Sequence, residues 1–375
     1  MSDRIARQFA FLAEADRLKT VDRANVLLDL SRPENSAEHS WHVALQAMVF
    51  GASDRAIRML LVHDLVEIDT GDQPIHLDHD AAVLATAEAR AADRIFGLSP
   101  DRDRLMALWL DFEAAACADA VMAKRMDHSQ PLFQVLLAPQ PLADHLAIVR
   151  DNIGGGRAAR LRGEWPEAMG WADAVLAGTP PPDSDLHRRL RFLAEADALK
   201  SVLRASLLID ASRRENSAEH SWHLALYALA FADLAGPGVD IGRVIRMLLI
   251  HDLVEIDVGD VPLHSAGGLA HGSAHIQAAE AEAALRIFGL LPGPQARDFL
   301  ALWQEFEAAA TPDAVFAKAL DRCQPVIQNL GSGGIGWVDY GVTFADLESR
   351  VGGRITLGAP ALWDWLRPRV RDFLG

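Results

Sequence analysis

The sequence predicts an all-α protein built from two tandem helical bundles. Three observations favour this fold class: apolar residues recur at helical spacing, alternating β-branched runs are scarce, and a long segment of the chain occurs twice. The nine residues Glu34–His42 recur without change as Glu215–His223, and a second block, His-Asp-Leu-Val-Glu-Ile-Asp, follows each copy. A repeat far longer than the roughly 20–50 residues of solenoid units indicates a domain duplication.

The boundary between the repeats is predicted near residue 182, in a segment that ends with Pro180-Pro181-Pro182 and has the chemistry of a linker. The two predicted domains therefore span residues 1–182 and 183–375. A chain of 375 residues is long enough for about two domains. Each half is expected to enclose its own core.

Helices are predicted along most of both repeats. In the first repeat, residues 55–62 place apolar side chains on one helical stripe, and residues 81–96 are rich in alanine with interspersed Glu and Arg. Asn35 or Ser36 is the expected N-cap of a helix that carries His39 and His42 on one face.

Composition excludes several classes of function. The formal net charge is −16 and Lys and Arg form no cluster, which argues against a nucleic-acid polymer as partner. No apolar run approaches the roughly 18 residues that span a bilayer, and the N-terminus lacks a secretory pattern. The two cysteines, Cys117 and Cys323, occupy non-equivalent positions, so no disulfide framework or cysteine metal site is expected. These features predict a soluble, cytoplasmic protein without a membrane partner.

Each repeat carries a set of potential metal ligands. His63 and Asp64 are adjacent in a predicted apolar helix, where a buried carboxylate beside an imidazole requires a partner such as a divalent metal. An earlier histidine and a later aspartate complete each set. The predicted ligands are His39, His63, Asp64 and Asp127 in the first repeat, and His220, His251, Asp252 and Asp321 in the second. Two imidazoles and two carboxylates favour a divalent transition metal over Ca²⁺ or a thiolate zinc site.

The order His…His-Asp…Asp, set within Glu-Asn-Ser-Ala-Glu-His-Ser and His-Asp-Leu-Val-Glu-Ile-Asp-Thr-Gly-Asp, resembles the HD-domain superfamily of metal-dependent phosphohydrolases. More narrowly, the chain is similar to the 5'-deoxynucleotidase branch and its relatives, which are usually single domains. The resemblance covers nearly all of the second repeat and the first repeat up to about residue 135. It implies two tandem HD-domain bundles, each with one divalent cation, which would be Mn, Co, Fe, Zn or Mg.

The resemblance also implies roles for further residues. The implied catalytic positions are Glu67, Asp72, Glu255 and Asp260, of which the two aspartates help to hold the nucleotide. The implied contacts to the substrate phosphate are Arg23 and Arg204, although either arginine could instead form a salt bridge. The implied reaction is hydrolysis of nucleoside or deoxynucleoside 5'-monophosphates to nucleoside and phosphate. The substrate is thus a small phosphorylated molecule, and the two repeats form either an intramolecular pseudo-dimer or part of a homo-oligomer.

The two repeats differ after the last predicted ligand. The second repeat continues with Gly333–Trp337 and Gly358–Trp363, much as bacterial relatives do, whereas the first repeat lacks these features. The first repeat also has His128 where the second has Arg322. The first domain therefore has either an altered specificity or a role as a dimer-like partner of the second.

Two other classes of function stay open from the sequence. An HD-type di-iron oxygenase requires additional histidine ligands, and Glu67 stands where those enzymes typically place a histidine. A nucleotide-sensing regulatory protein would keep one non-catalytic HD domain.

Several other side chains have structural interpretations. Core or supporting positions are expected for Trp41, Trp222, His42 and His223. Lys124 and Lys318 either reach a phosphate or lie as charges on a helix face. Solvated loop positions are expected for His76, His79, His264, His271 and His275.

Overall fold

The computed structural model describes residues 2–74, 80–262 and 273–375, and these are predominantly helical, as the sequence predicts. The first repeat contains α1 (Ser2–Ala15), α2 (Ser36–Val49), α3 (Asp54–Val62), α4 (Glu67–Thr70), α5 (Ala81–Leu98), α6 (Arg102–Ala114), α7 (Ala118–Leu137), α8 (Ala143–Gly154), α9 (Leu161–Glu164) and α10 (Pro166–Leu176). The second contains α11 (Asp185–Ala196), α12 (Ser217–Ala230), α13 (Ile241–Ile250), α14 (Glu255–Val258), α15 (Ala274–Phe288), α16 (Gly293–Ala308), α17 (Pro312–Gly331), α18 (Ile335–Asp339), α19 (Phe344–Leu347), α20 (Gly353–Gly358) and α21 (Pro360–Leu374). None of the described helices is long and apolar enough to cross a membrane.

Two short antiparallel ribbons interrupt the helices, a feature that the all-α prediction omits. They pair β1 (Asp22–Val26) with β2 (Pro33–Asn35), and β3 (Leu203–Leu207) with β4 (Arg214–Asn216). Strands of three to five residues are too short to leave a clear alternating pattern in the sequence. Short 3₁₀ turns also occur, at Asp16–Thr20, His63–Val66, Arg157–Arg160, Asp197–Ser201 and Ala232–Leu234.

Helix α2 begins at a capping box, which identifies Asn35 rather than Ser36 as the N-cap. The Asn35 side chain accepts hydrogen bonds from the backbone N–H groups of Ala37 and Glu38, and the Glu38 carboxylate accepts one from the Asn35 backbone N–H at 2.9 Å. Helix α12 begins with the same arrangement at Asn216 and Glu219. Because a capping box satisfies otherwise unpaired N–H groups, it fixes the first turn of both helices.

The buried apolar residues of both repeats form one cluster, so the expectation that each half encloses its own core is wrong. Every residue of α12 is buried, and a helix that is covered on all sides needs packing partners beyond its own repeat. Helix α12 therefore packs against α2. The indole of Trp41 donates to the Leu249 carbonyl at 3.0 Å, and that of Trp222 donates to the Leu61 carbonyl at 3.1 Å. Both tryptophans occupy the core, as expected.

The caps of α2 and α12 also exchange side-chain hydrogen bonds. The Asn35 amide donates to the Glu219 carboxylate at 2.6 Å, and the Asn216 amide donates to the Glu38 carboxylate at 2.7 Å. Such reciprocal pairing is the pattern of a twofold interface, in which one surface contacts its own copy. The two unchanged nine-residue blocks therefore face each other. The division at residue 182 stays a prediction, and it falls between α10 and α11.

Candidate metal centres

The second repeat brings its four predicted ligands together. His220 lies in the first turns of α12, His251 and Asp252 follow the end of α13, and Asp321 lies in the middle of α17. The Nε2 atom of His251 is 3.0 Å from Oδ1 of Asp252. The Nε2 atom of His220 is 3.4 Å from Oδ1 of Asp321 and 3.9 Å from Oδ2 of Asp252.

The first repeat repeats this geometry. The Nε2 atom of His39 is 3.2 Å from Oδ1 of Asp127 and 3.8 Å from Oδ2 of Asp64. The Nε2 atom of His63 is 3.2 Å from Oδ1 of Asp64 and 3.7 Å from Oδ1 of Asp127. The predicted apolar helix, α3, ends at Val62, and His63 and Asp64 lie just beyond it in a 3₁₀ turn rather than in the α-helix itself.

The orientation of two histidines fits a bound cation. Nδ1 of His63 lies 2.9 Å from the Leu60 carbonyl, and Nδ1 of His251 lies 2.9 Å from the Leu248 carbonyl, so each Nδ1 must carry the proton. Each Nε2 then presents a lone pair to a nearby carboxylate oxygen. Within the described part of the chain, both Nε2 atoms are buried without a hydrogen-bond partner. Two facing acceptors need a cation between them, and the residues present therefore fit a divalent metal.

The other two histidines are oriented by glutamines. Nδ1 of His39 lies 3.1 Å from Oε1 of Gln130, and Nδ1 of His220 lies 3.1 Å from Oε1 of Gln324. Since an amide oxygen only accepts, each Nδ1 donates and each Nε2 points at the ligand set. The sequence shows these glutamines in the paired Gln-Pro motifs that follow the last aspartate of each set.

Three of the buried acids, Asp64, Glu67 and Glu255, are less readily ionised than usual without a cation. Burial, reinforced by the charge of Asp64, raises the pKa of Glu67 well above its ordinary value. In the second repeat, burial and the charge of Asp252 have the same effect on the pKa of Glu255. Burial and the charges of Asp127 and other acids also raise the pKa of Asp64, although the nearby arginine opposes this. A divalent cation would offset the excess negative charge and allow these acids to ionise.

One arginine in each repeat binds the acids around the ligand set. Nη1 of Arg204 is 2.7 Å from Oδ2 of Asp252, 3.5 Å from Oε1 of Glu255 and 3.6 Å from Oδ1 of Asp260. The Arg204 side chain is only 12% exposed, and these contacts hold it at the edge of the centre. Its salt bridges agree with the structural interpretation, and contact with a phosphate stays a prediction.

Arg23 has the equivalent position in the first repeat. Its Nη1 atom is 3.1 Å from Asp64, 3.5 Å from Glu67 and 3.2 Å from Asp72. The residue before Asp72 is Gly71, whose φ of 72° is a conformation that side chains other than glycine rarely adopt. This turn ends α4 and lets the chain return Asp72 to the arginine.

Each centre opens into a cavity, and the two cavities differ. The cavity of the second repeat has a volume of about 330 Å³. Beyond the residues described above, its walls carry aromatic and cationic side chains, including Phe306, Lys318, Arg322, Trp337, Tyr340 and Arg354. The cavity of the first repeat measures about 460 Å³. Its walls include Asn25, His128, Leu132, His145, Ile148 and Arg157.

A second acid near the centre escaped sequence reasoning. Glu280 lines the cavity of the second repeat, and burial together with the charge of Glu307 raises its pKa to about 7. Lys318 pairs with Glu307 at 3.0 Å and lies 3.8 Å from the centre of the Phe306 ring. The first repeat holds the same trio as Glu88, Glu113 and Lys124. Because both repeats carry the same three residues, a comparison of the repeats could have identified Glu280 as a residue of the site.

Replacing Glu280 with glutamine should stabilise the metal-free protein at pH 8 and have little effect at pH 5. Folding raises the pKa of this acid from 4.5 to about 7, so the native state holds its proton more tightly and loses stability as the pH rises through that window. We expect the melting temperature to rise by about 2–4 °C at pH 8. Glu282→Gln, at an exposed position of the same helix, is the matched control. An equal gain at both pH values would contradict the expectation.

The remaining predicted residues lie outside the two ligand sets. His42 and His223 are buried, and each contacts a lysine at 2.9 and 3.0 Å respectively, in agreement with supporting roles. His275 is exposed, but it lies at the start of α15 rather than in a loop. The other loop histidines lie outside the described residues, namely His76, His79, His264 and His271.

The architecture is that of a duplicated helical protein with one His/Asp cluster in each repeat, and the HD domain family model matches residues 15–169 and 196–363. The chain therefore belongs to the HD-domain family, and the resemblance drawn from its motifs is confirmed.

Comparison with individual proteins gives relatives of one kind. The 5'-deoxynucleotidase HDDC2 of Mus musculus is 31% identical over 140 residues, which are 37% of this chain and 67% of the relative. The protein of the same name from Homo sapiens is 30% identical over 140 residues, or 37% of this chain and 65% of the relative. The chain thus spans about two thirds of the length of these relatives. A crystal structure described as a predicted metal-dependent phosphohydrolase, from Magnetospirillum magnetotacticum, is 46% identical, with a TM-score of 0.47, and covers 51% of this chain and 96% of that one.

Proposed function

We propose that the protein is a metal-dependent phosphomonoesterase that converts nucleoside 5'-monophosphates to nucleoside and phosphate, with the second repeat as the main nucleotide site. The observation that carries this proposal is the buried Nε2 of His251, which faces the Asp252 carboxylate at 3.0 Å beside an arginine-edged cavity. Relatives named 5'-deoxynucleotidase support this choice of reaction.

Four side chains in each repeat would hold one divalent cation. When bound, the cation would polarise a phosphate oxygen and lower the pKa of a water molecule. The chain prepares the site by fixing the histidine tautomers, since the Leu248 carbonyl and the Gln324 amide oxygen each hold an Nδ1 proton. The second repeat would use His220, His251, Asp252 and Asp321, and the first would use His39, His63, Asp64 and Asp127.

Glu255 is the proposed proton acceptor of the second repeat. The Ser217 hydroxyl donates a hydrogen bond to its Oε2 atom at 2.5 Å, which fixes the carboxylate beside the ligand set. A carboxylate held this close to the ligand set is placed to accept a proton from a water molecule there. Glu67, held by Ser36, would act in the same way in the first repeat.

Arg204 is the proposed contact to the substrate phosphate. A protein with a net charge of −16 repels anions, so a phosphate needs a local cation. The Nη1 atom of Arg204 lies 2.7 Å from Asp252, which places this charge at the metal centre itself. Asp260, 3.6 Å from the same atom, would keep the guanidinium in place, and Arg23 and Asp72 would form the equivalent pair.

The nucleoside would lie against the cavity wall of the second repeat that Trp337 and Tyr340 form. Trp337 is buried against Phe373, with ring centres 5.5 Å apart, and forms a rigid surface. Tyr340 is 39% exposed and can contact a ligand without loss of core packing. Aromatic side chains offer every base a flat surface to stack on.

Replacing Tyr340 with alanine should raise the KM for nucleoside monophosphates by about fivefold to tenfold, with a smaller change in kcat. Loss of a stacking surface removes about 1 kcal/mol or more of binding in both the ground and the transition state. Steady-state kinetics with a deoxynucleotide would show this, and Leu357→Ala, at a position 70% exposed, is the control. An unchanged KM would remove Tyr340 from the substrate site.

The first repeat would prefer a different phosphomonoester. Its ligand geometry matches the second repeat, yet among the described residues no Phe, Tyr or Trp lines its cavity. Aliphatic residues such as Leu132 and Ile148 occur there with His145 and Arg157. This wall suits a small polar phosphate ester better than a stacked base.

A phosphate-release screen of protein loaded with Mn²⁺ or Co²⁺ tests the proposed function. We expect turnover of nucleoside 5'-monophosphates above that of di- and triphosphates. If no mono-, di- or triphosphate of a ribonucleoside or deoxyribonucleoside releases phosphate, the proposal fails.

A further inference from the structure

Two buried lysines reach across the interface between the repeats. Lys19 lies in the turn after α1 and Lys200 in the equivalent turn after α11, and neither side chain is exposed. Nζ of Lys200 lies 2.7 Å from Oε1 of Glu34, and Nζ of Lys19 lies 2.7 Å from Oε1 of Glu215. Each lysine therefore pairs with the first glutamate of the nine-residue block in the opposite repeat.

Each ammonium group occupies the centre of a cage of metal-binding residue types. Glu34, His42 and Asp197 surround Lys200, with ligand atoms within 4.8 Å of one another. Nζ of Lys200 lies 2.9 Å from Nδ1 of His42 and also forms a short ion pair with Asp197. The lysine supplies the positive charge that this cage requires, so the cage is not an additional metal site. Asp16, Glu215 and His223 surround Lys19 in the same way.

The paired glutamates lie directly behind proposed metal ligands. Oε2 of Glu34 is 3.7 Å from Nδ1 of His39, and Oε2 of Glu215 is 3.5 Å from Nδ1 of His220. Within the described residues, both Oε2 atoms are buried without a hydrogen-bond partner. Each Nδ1–H donates to a glutamine oxygen, so the carboxylate 3.5–3.7 Å from the same nitrogen acts through its negative charge, which makes the imidazole a stronger ligand.

We propose that each lysine is a positioning residue for the metal centre of the opposite repeat. Lys200 holds Glu34 against His39 in the first repeat, and Lys19 holds Glu215 against His220 in the second. Neither centre is complete without the other repeat, so the duplicated chain works as a built-in dimer. The inference rests on the proposed function in one respect, namely that these histidines bind metal.

The two lysine–glutamate pairs differ in how many other side chains hold the glutamate. Oε1 of Glu215 also accepts hydrogen bonds from Gln324 at 2.9 Å and from Gln328 at 2.8 Å. In the first repeat, Gln134, which corresponds to Gln328, instead donates to the Val26 carbonyl at 2.6 Å. The first centre should therefore depend more strongly on its lysine than the second.

The test measures Co²⁺ affinity at one centre at a time. In full-length chains, Asp252→Ala leaves the first centre for titration, and Asp64→Ala leaves the second. We expect Lys200→Met to weaken Co²⁺ binding at the first centre by about tenfold or more and to change the visible absorption spectrum of the bound Co²⁺. Binding at the second centre should not change. Lys19→Met, the matched control, should show the reverse pattern with a smaller loss.

A second variant keeps the test decisive if removal of a buried lysine prevents folding. Glu34→Gln preserves the side-chain shape and removes the charge behind His39, and it should weaken Co²⁺ binding only at the first centre. Equal losses at both centres, or no loss, in folded variants would overturn the inference. If the unmodified chain binds no Co²⁺, the proposed metal centres fail first, and that result is distinct from unchanged affinity in the variants.

Discussion

Replacing Asp252 with alanine is expected to reduce hydrolysis of nucleoside 5'-monophosphates by more than about 100-fold. Removing a residue that hydrogen-bonds to a metal ligand lowers metal affinity or activity by about 10–100-fold, and removing the ligand itself should lower them further. Asp252 also contacts Arg204 at 2.7 Å, so the variant disturbs the proposed phosphate contact as well. Asp64→Ala should retain at least about half of the activity because the aromatic-walled cavity belongs to the second repeat. Phosphate release under saturating metal would measure both effects.

The matched control for this prediction is Asp257→Ala. Asp257 lies in the same short helix as Glu255 but pairs with Arg286 at 2.6 Å, away from the ligand set. Its removal should leave turnover unchanged. Retention of activity by Asp252→Ala together with its loss in Asp64→Ala would assign nucleotide hydrolysis to the first repeat and contradict the proposal.

The isolated second repeat, residues 183–375, is expected to form a homodimer instead of a folded monomer. Helix α12 is buried on all sides, and in the full chain the first repeat covers part of it. The interface is nearly self-complementary, because the first-repeat residues that contact the second repeat have counterparts in the second repeat itself. In a dimer of the fragment, Lys200 would replace Lys19, Arg213 would replace Arg32, and Asn216 would replace Asn35. A second copy of the fragment can therefore replace the first repeat.

Light scattering coupled to size exclusion would give the mass of the fragment. We expect twice the monomer mass and a melting temperature that rises with protein concentration, because dissociation and unfolding are linked in such dimers. A monomeric fragment that unfolds cooperatively at a concentration-independent temperature would show that the repeats fold separately. It would also weaken the proposal that each lysine supports the metal centre of the opposite repeat.

The features that the sequence predicts correctly are those set by neighbouring residues. Helical periodicity and helix caps depend on residues only a few positions apart. The helical class and the cap at Asn35 could therefore be predicted from the sequence. The eight proposed ligands lie in short motifs that occur twice, and the structure brings them into two groups of four. Metal binding by these groups stays a prediction.

Contacts between the repeats could not be predicted from the same patterns. Lys200 meets Glu34 although the two residues are 166 positions apart in the chain. The sequence places Lys200 shortly before Arg204 but gives no indication of which acid the lysine will contact. The shared core could not be predicted for the same reason. The sequence shows that α12 is apolar but not which surfaces cover it.

The cavity walls were predicted only in part. The Gly-Trp motif, noted in the sequence only as a difference between the repeats, contributes Trp337 to the cavity of the second repeat. Glu280 lies on α15, in a stretch whose Ala-rich composition resembles an ordinary surface helix. Its position at the cavity depends on how α15 packs, which the sequence does not specify.

The bound-metal stoichiometry of the purified full-length chain tests the central claim most directly. We predict two divalent ions per unmodified chain and one in each of Asp64→Ala and Asp252→Ala, measured by elemental analysis after removal of loosely bound metal. No bound metal, or loss of both ions from a single substitution, would contradict two separate centres. Two irons in each repeat, together with oxygen consumption, would instead indicate the di-iron oxygenase chemistry that the sequence left open.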